Sequence, residues 1–145
     1  MKIQPINLNE DKSSEIYASS DCQELLKIYD DYYSNIGFNP PWIGYFVIRE
    51  NQIVGCGGFT GKPADGKVEI AYATFKPFEG QGVATFTCGQ LISISQAIDP
   101  TIIITAKTAP ENNASTKILG RHGFVFSGIV QDEEIGDAWL WILPN

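Results

Sequence analysis

Apolar positions recur along this chain with two different periods, and the switches between them outline the elements. In DCQELLKIYDDYYSNI, Leu25, Ile28, Tyr32 and Ile36 fall three and four residues apart, which predicts an amphipathic helix broken by GFNPPW. Ahead of it, KIQPINL reads as a short strand at a sheet edge, the place where Pro5 is tolerated. IGYFVIRENQIVGCGGF holds two β-rich runs around Glu50 and Asn51 and predicts a hairpin. In KVEIAYATF the residues alternate, with Val68, Ile70 and Tyr72 on one face and Glu69, Ala71 and Ala73 on the other. Small residues around a single carboxylate leave that second face hollow.

From Val83 the period returns to that of a helix, with Ala84, Cys88, Leu91, Ile94 and Ile98 in register until Asp99-Pro100 stops it. TIIIT at 101–105 is a short continuous apolar run, consistent with a strand buried on both faces. A short helix around Asn113 to His122 ends at Gly123, a left-handed cap. FVFSGIV and DAWLWIL flank the polar turn QDEEIG and pair as a last hairpin. The resulting order is strand, helix, three antiparallel strands, helix, strand, helix, two strands: an α+β sheet with helices packed on it. There is no internal repeat, low-complexity tract or linker, and residues 1–145 form a single domain.

Composition narrows the function classes. Ten basic against seventeen acidic residues give a net charge of -7, which repels a phosphate backbone, argues against nucleic acid and mildly favours a cationic partner. The three cysteines, Cys22, Cys56 and Cys88, have neither paired numbers nor metal-ligand spacing, so no disulfide framework and no metal site is expected. Reduced thiols fit a cytoplasmic protein. The N-terminus has no apolar targeting core, and no apolar run approaches the roughly 18 residues of a membrane span.

The stretch FKPFEGQGVATFTCGQL carries the candidate chemistry. A strand running through Gly80-Gln81-Gly82 straight into a helix exposes the unpaired amides of the first helical turn and the positive end of its dipole. Such a loop holds an anion, or is simply a tight turn. Neither a Walker sequence nor a dinucleotide fingerprint is present: no Gly-Lys-Ser/Thr follows, and Thr85 stands where the third small residue belongs.

VEIAYATFKPFEGQGVATFTCGQL, followed by TAPENNASTKILGRHGF and a closing hairpin, resembles the Gcn5-related N-acetyltransferase (GNAT) superfamily, in particular its ribosomal-protein-alanine acetyltransferase-like branch. The resemblance spans about Pro41 to Leu143. It implies a mixed, mainly antiparallel sheet of about six to seven strands with helices on both faces. It also implies acetyl-CoA as co-substrate, an amine acceptor that is a small molecule or a peptide, and a monomer or homodimer. Gly80, Gln81, Gly82, Val83, Ala84 and Thr85 fall on the family's pyrophosphate loop, preceded by Ala73, Thr74 and Phe75 at the strand end. Asn112 and Ser115 match the positions near the pantetheine arm and thioester, although Asn112 also reads as a plain helix cap and Ser115 as a first-turn polar residue. Glu79 replaces the family's usual Gln or Arg and is expected to point to solvent or to pair with Lys76. Leu119 stands where relatives often carry a tyrosine acid.

Acetyl transfer from a thioester to an amine needs a free nitrogen lone pair, donors for the developing oxyanion and a tolerable leaving sulfur. A lysine-like amine costs roughly 4 to 5 kcal/mol to deprotonate at pH 7 and an α-amine only about 1. Glu69, on the hollow strand face, is the candidate base, directly or through water; its alternative is a cross-strand ion pair. Ser115 is a second candidate catalytic residue, with Tyr72 behind it. His122, Trp139 and Trp141 are read as structural, Asp132 to Glu134 as a solvated turn, and Phe38 to Trp42 as either a connection or an apolar lip of the acceptor site. The function expected is N-acetyltransfer to a primary amine, with a catalytically degenerate CoA-binding module as the alternative.

Overall fold

A computed structural model describes residues 1–145. Its order follows the alternation of periods: β1 (Lys2–Pro5), α1 (Ser20–Ile36), β2 (Gly44–Arg49), β3 (Gln52–Phe59), β4 (Lys67–Thr74), α2 (Val83–Ile98), β5 (Ile103–Thr108), α3 (Ala114–Arg121), β6 (Val125–Asp132) and β7 (Gly136–Leu143). The seven strands form one sheet in the order β1-β2-β3-β4-β5-β7-β6. Every pairing is antiparallel except β4 with β5. Between β2 and β3, Glu50 and Asn51 take φ of +53° and +61°, the left-handed pair that a tight two-residue hairpin requires.

Helices cover both faces. α1 lies against the face carrying Gly44 and Cys56, where a Cβ on Gly44 would sit 2.1 Å from the Tyr29 ring, so only glycine admits the helix this closely. α2 lies on the other face, with Thr87 against Gly57. α3 packs beside α2 on that face and sends Leu119 into the main core, and the Leu119 carbonyl accepts a hydrogen bond from the Phe124 amide at 3.0 Å.

Several sequence expectations shift by a few positions. The buried stripe of α1 is Cys22, Leu25, Leu26 and Tyr33, and Ile28 is exposed, because the helix is rotated so that its tyrosines line the sheet. Ile98 is exposed where α2 ends, and Val83, Thr87 and Ser95 take part in its buried face. The fifth strand begins at Ile103, not Thr101, since the Asp99 carboxylate accepts hydrogen bonds from both the amide and the hydroxyl of Thr101 and holds that residue in a turn. The cap of α3 is Asn113 and not Asn112. Asn113 Oδ1 accepts from the Thr116 amide at 3.1 Å, while Thr116 Oγ1 accepts from the Asn113 amide at 3.0 Å.

The parallel ladder positions the site. β4 and β5 are paired from Lys67 with Ile103 as far as Ile70 with Ala106, yet β4 runs on to Thr74 and β5 to Thr108. Beyond Ile70 the two strands are therefore unpaired neighbours, and a gap opens in the middle of the sheet.

Candidate active site

The gap leads into a cavity of about 640 Å³, walled by the end of β4, the glycine loop with the first turn of α2, and the first two turns of α3. Gly80 and Gly82 take φ of +76° and +82°, and nothing lies within 4 Å of where a Cβ would stand on either. The loop backbone is thus bare toward the cavity. Gly82 is the N-cap of α2, no side chain caps that end, and no acidic residue sits in its first turn. Most helices satisfy their first amides with a Ser, Thr, Asp or Asn cap. Here these amides and the positive dipole end are left to whatever occupies the cavity.

Of the residues predicted from sequence, Ala73, Thr74, Gly80, Gly82, Val83, Ala84, Thr85 and Ser115 line this cavity. Phe75, Gln81 and Asn112 do not. Phe75 packs on the main core, the Gln81 amide turns back to the Pro77 carbonyl at 3.4 Å, and Asn112 is exposed outside the cap. Glu79 lines the rim, exposed; it makes no ion pair with Lys76.

Two cations were missed by sequence reasoning. Lys117 and Arg121 line the α3 wall and have no ion-pair partner. Their spacing of four residues places both on one helical face, a pattern visible in STKILGR once the helix is placed. Tyr72 forms part of the strand wall. Its hydroxyl is buried without a hydrogen-bond partner, a state that costs about 1–3 kcal/mol for a polar group taken from water. Burial pushes its pKa up to about 12; Ser115 lies near enough to offset part of that rise.

Glu69 lies on the opposite face, beneath α1. It borders a smaller cavity of about 210 Å³ with Thr60, Lys67 and Thr105. Lys107 Nζ lies 3.3 Å from Glu69 Oε1 and 3.5 Å from Asp132 Oδ2, so the cross-strand ion pair weighed from the sequence is formed. Burial alone would lower the Lys107 pKa, but the two carboxylates outweigh it and raise it. Burial and the negative fields of Glu69 and Glu134 raise the Tyr32 phenol on α1. The other conspicuous residues make contacts within the fold. His122 Nδ1 is 2.8 Å from the Ile118 carbonyl, Trp139 and Trp141 share one sheet face with Phe126, and Trp42 packs edge-on against Phe59.

A strand splayed from its parallel neighbour beside a bare glycine loop and an uncapped helix is the setting in which the comparisons with known proteins are informative. The family model described as acetyltransferase (GNAT) domain matches residues 5–125. The chain belongs to the GNAT acetyltransferase family. Among solved structures of the same fold, a spermidine N-acetyltransferase SpeG chimera from Vibrio cholerae and hSSAT is 16% identical with a TM-score of 0.68, covering 99% of this chain and 95% of that one. The ribosomal-protein-S5-alanine acetyltransferase of Vibrio fischeri is 19% identical with a TM-score of 0.62, over 92% and 76% of the two chains. The microcin C7 self-immunity acetyltransferase MccE, solved with acetyl-CoA and AMP, is 21% identical with a TM-score of 0.63, over 85% and 69%. No curated protein sequence matches significantly. No helix of this GNAT domain is long and apolar enough to cross a membrane.

Proposed function

We propose that the chain is an N-acetyltransferase that moves an acetyl group from acetyl-CoA directly to a primary amine, either a protein or peptide N-terminus or a small amine. The observation that carries this reading is the pair of left-handed glycines, Gly80 and Gly82, at the uncapped start of α2, opening onto a cavity that continues to the splay of β4 and β5. Backbone amides of Gly82, Val83, Ala84 and Thr85 would hold the diphosphate, and a loop with no Cβ in the way permits that close approach. Lys117 and Arg121 would supply counter-charge that the overall net charge of -7 does not. Ser115, on the α3 wall of the cavity, would stand near the thioester.

The acceptor would enter from the Glu69 face. Glu69 would take the amine proton, directly or through water, and the carboxylates of Asp132 and Glu134 nearby favour a cationic acceptor. Both reactants meet at the gap, so transfer needs no covalent enzyme intermediate. The MccE complex supports the choice of acetyl-CoA by shared fold, and the SpeG and S5-alanine enzymes support an amine acceptor in the same way.

The test is incubation with acetyl-CoA and a panel of N-terminal peptides and polyamines, reading free thiol. Acceptor-dependent release is expected. Tight CoA binding with no release for any amine would favour the non-catalytic module instead.

A further inference from the structure

We propose that the acceptor carries a carboxylate about two chain residues away from the amine that is acetylated, and that Lys62 and Lys67 select for it. The proposal rests on the acetyl-transfer reading above, which brings the amine to Glu69 and leaves the rest of the acceptor unassigned.

The smaller cavity, of about 210 Å³, leads away from the gap along the first residues of β4. Lys67, Val68 and Glu69 line it from that strand, Thr105 from β5, and Thr60, Lys62 and Ala64 from the β3–β4 connection. Its two ends differ in charge. Toward the gap stands Glu69, with Asp132 held to it through Lys107 and with Glu134 close enough to act on the same Tyr32 phenol. At the other end stand Lys62 and Lys67, both exposed and neither in an ion pair, since only Lys12 and Lys107 form any. Asp65 shares the connection but neither lines the cavity nor pairs with either lysine.

This arrangement is uncommon for the surface it sits on. The chain has ten basic residues against seventeen acidic ones, yet four of the ten line the two cavities: Lys117 and Arg121 the larger, Lys62 and Lys67 the smaller. Lys67 and Glu69 are two residues apart on one strand, so they share a face with their Cα atoms about 7 Å apart. An extended acceptor advances about 3.3–3.6 Å per residue, so with its amine at Glu69 its second residue comes opposite Lys67. A carboxylate there meets two cations; the second ammonium of a polyamine is repelled at the same place. Selection therefore has an attractive and a repulsive part. One exposed lysine contributes little by itself, and two converging on one anion supply about tenfold. Two sources share this chemistry: a peptide N-terminus followed by Glu or Asp, and a small ω-amino acid.

The test reads free thiol from acetyl-CoA with matched acceptors. One pair is Ala-Glu-Ala-Ala and Ala-Gln-Ala-Ala, both amidated at the C-terminus; the other is aminocaproate and its amide; spermidine is the cationic probe. Wild type should show kcat/KM about tenfold higher for the acidic member of at least one pair, with spermidine below it, and the pair that responds identifies the source. The preference should weaken as salt is raised. Lys62→Gln with Lys67→Gln should reduce it to within about twofold, the loss falling on KM for the acidic acceptor and not on kcat. Lys62→Glu with Lys67→Glu should reverse it, so that Ala-Lys-Ala-Ala exceeds Ala-Glu-Ala-Ala, a change of sign that general damage to the fold does not produce. Equal turnover within both pairs overturns the proposal, as does a preference that survives the double glutamine variant or a wild type that favours spermidine. Those results leave acetyl transfer standing. Thiol release from none of the acceptors is the failure of the acetyl-transfer reading itself and takes this inference with it.

Discussion

Lys107 on β5 joins Glu69 of β4 to Asp132 at the end of β6, one ammonium held between two carboxylates from separate strands. Because the carboxylates raise the Lys107 pKa, the pair contributes fully below the ordinary lysine value of about 10.4 and is lost as pH rises through the raised one. Lys107 and Glu69 remain about a third and a quarter exposed, with side-chain accessibilities of 31% and 26%, so solvent screening keeps the pair within a few tenths to about 1 kcal/mol. Lys107→Met should therefore lower the unfolding free energy slightly at pH 7.5 and not at all above the raised pKa. Urea titrations at both pH values measure this; a deficit that persists at high pH would assign the loss to packing.

The same contact makes Glu69 testable as a base. Glu69→Gln keeps the shape and removes the proton acceptor. An amine of pKa near 10.4 relies on that acceptor at pH 7, whereas an α-amine near 7.8 is already partly free. Turnover of polyamine-like acceptors should fall about tenfold or more relative to peptides with a free α-amine. Equal losses for both, with an unchanged pH–rate profile, would remove Glu69 from the mechanism and leave it a structural ion-pair partner.

Gly82→Ala probes the loop. At φ +82° a non-glycine residue costs of the order of 1–2 kcal/mol, and the new methyl projects into open cavity, not into neighbouring protein. A modest fall in Tm with a loss of CoA affinity of about tenfold or more is expected by calorimetry. Unchanged affinity would mean the anion does not sit at this helix end.

These consequences also show what the sequence made legible. Alternation in KVEIAYATF separated Glu69 from Tyr72 correctly, because a strand's period leaves no choice of face once its register is set. The glycine loop was legible because positive φ selects the residue type directly. The rotation of α1 was not: Ile28 fits the apolar spacing as well as Tyr29 or Tyr33 does, and only packing against Gly44 decides between them. Asn112 and Asn113 are likewise equivalent as local caps, and the choice was made by Thr116 three residues after Asn113. Lys117 and Arg121 escaped notice because a cation on a short helix is ordinary until the wall it faces is known.

Leu119 is 1% exposed and lies in the main core. The position therefore serves packing in this chain, and a tyrosine there must force a larger, hydroxylated side chain among apolar neighbours. Leu119→Tyr should destabilise by about 1–3 kcal/mol, measured by chemical denaturation, and should give no gain in turnover. A faster enzyme of unchanged stability would show that the core can yield and that the hydroxyl reaches the cavity.

Lys117 and Arg121 bear on how an acidic protein holds a polyanion at all. With a net charge of -7 the molecule as a whole repels coenzyme A, and Glu79 on the cavity rim adds to that repulsion at close range. The α2 dipole acts only within its first turn, so attraction from further out falls to these two cations, neither engaged in an ion pair. Replacing both with glutamine should raise the Kd for CoA about tenfold at low salt. The difference should shrink as ionic strength approaches about 1 M, where the screening length is only about 3 Å. Because these side chains would grip the nucleotide part and not the reacting atoms, KM for acetyl-CoA should rise with kcat nearly constant. Calorimetry across a salt series checks the first expectation and steady-state kinetics the second. A Kd that is indifferent to the double substitution at low salt would leave the backbone loop as the sole anion holder.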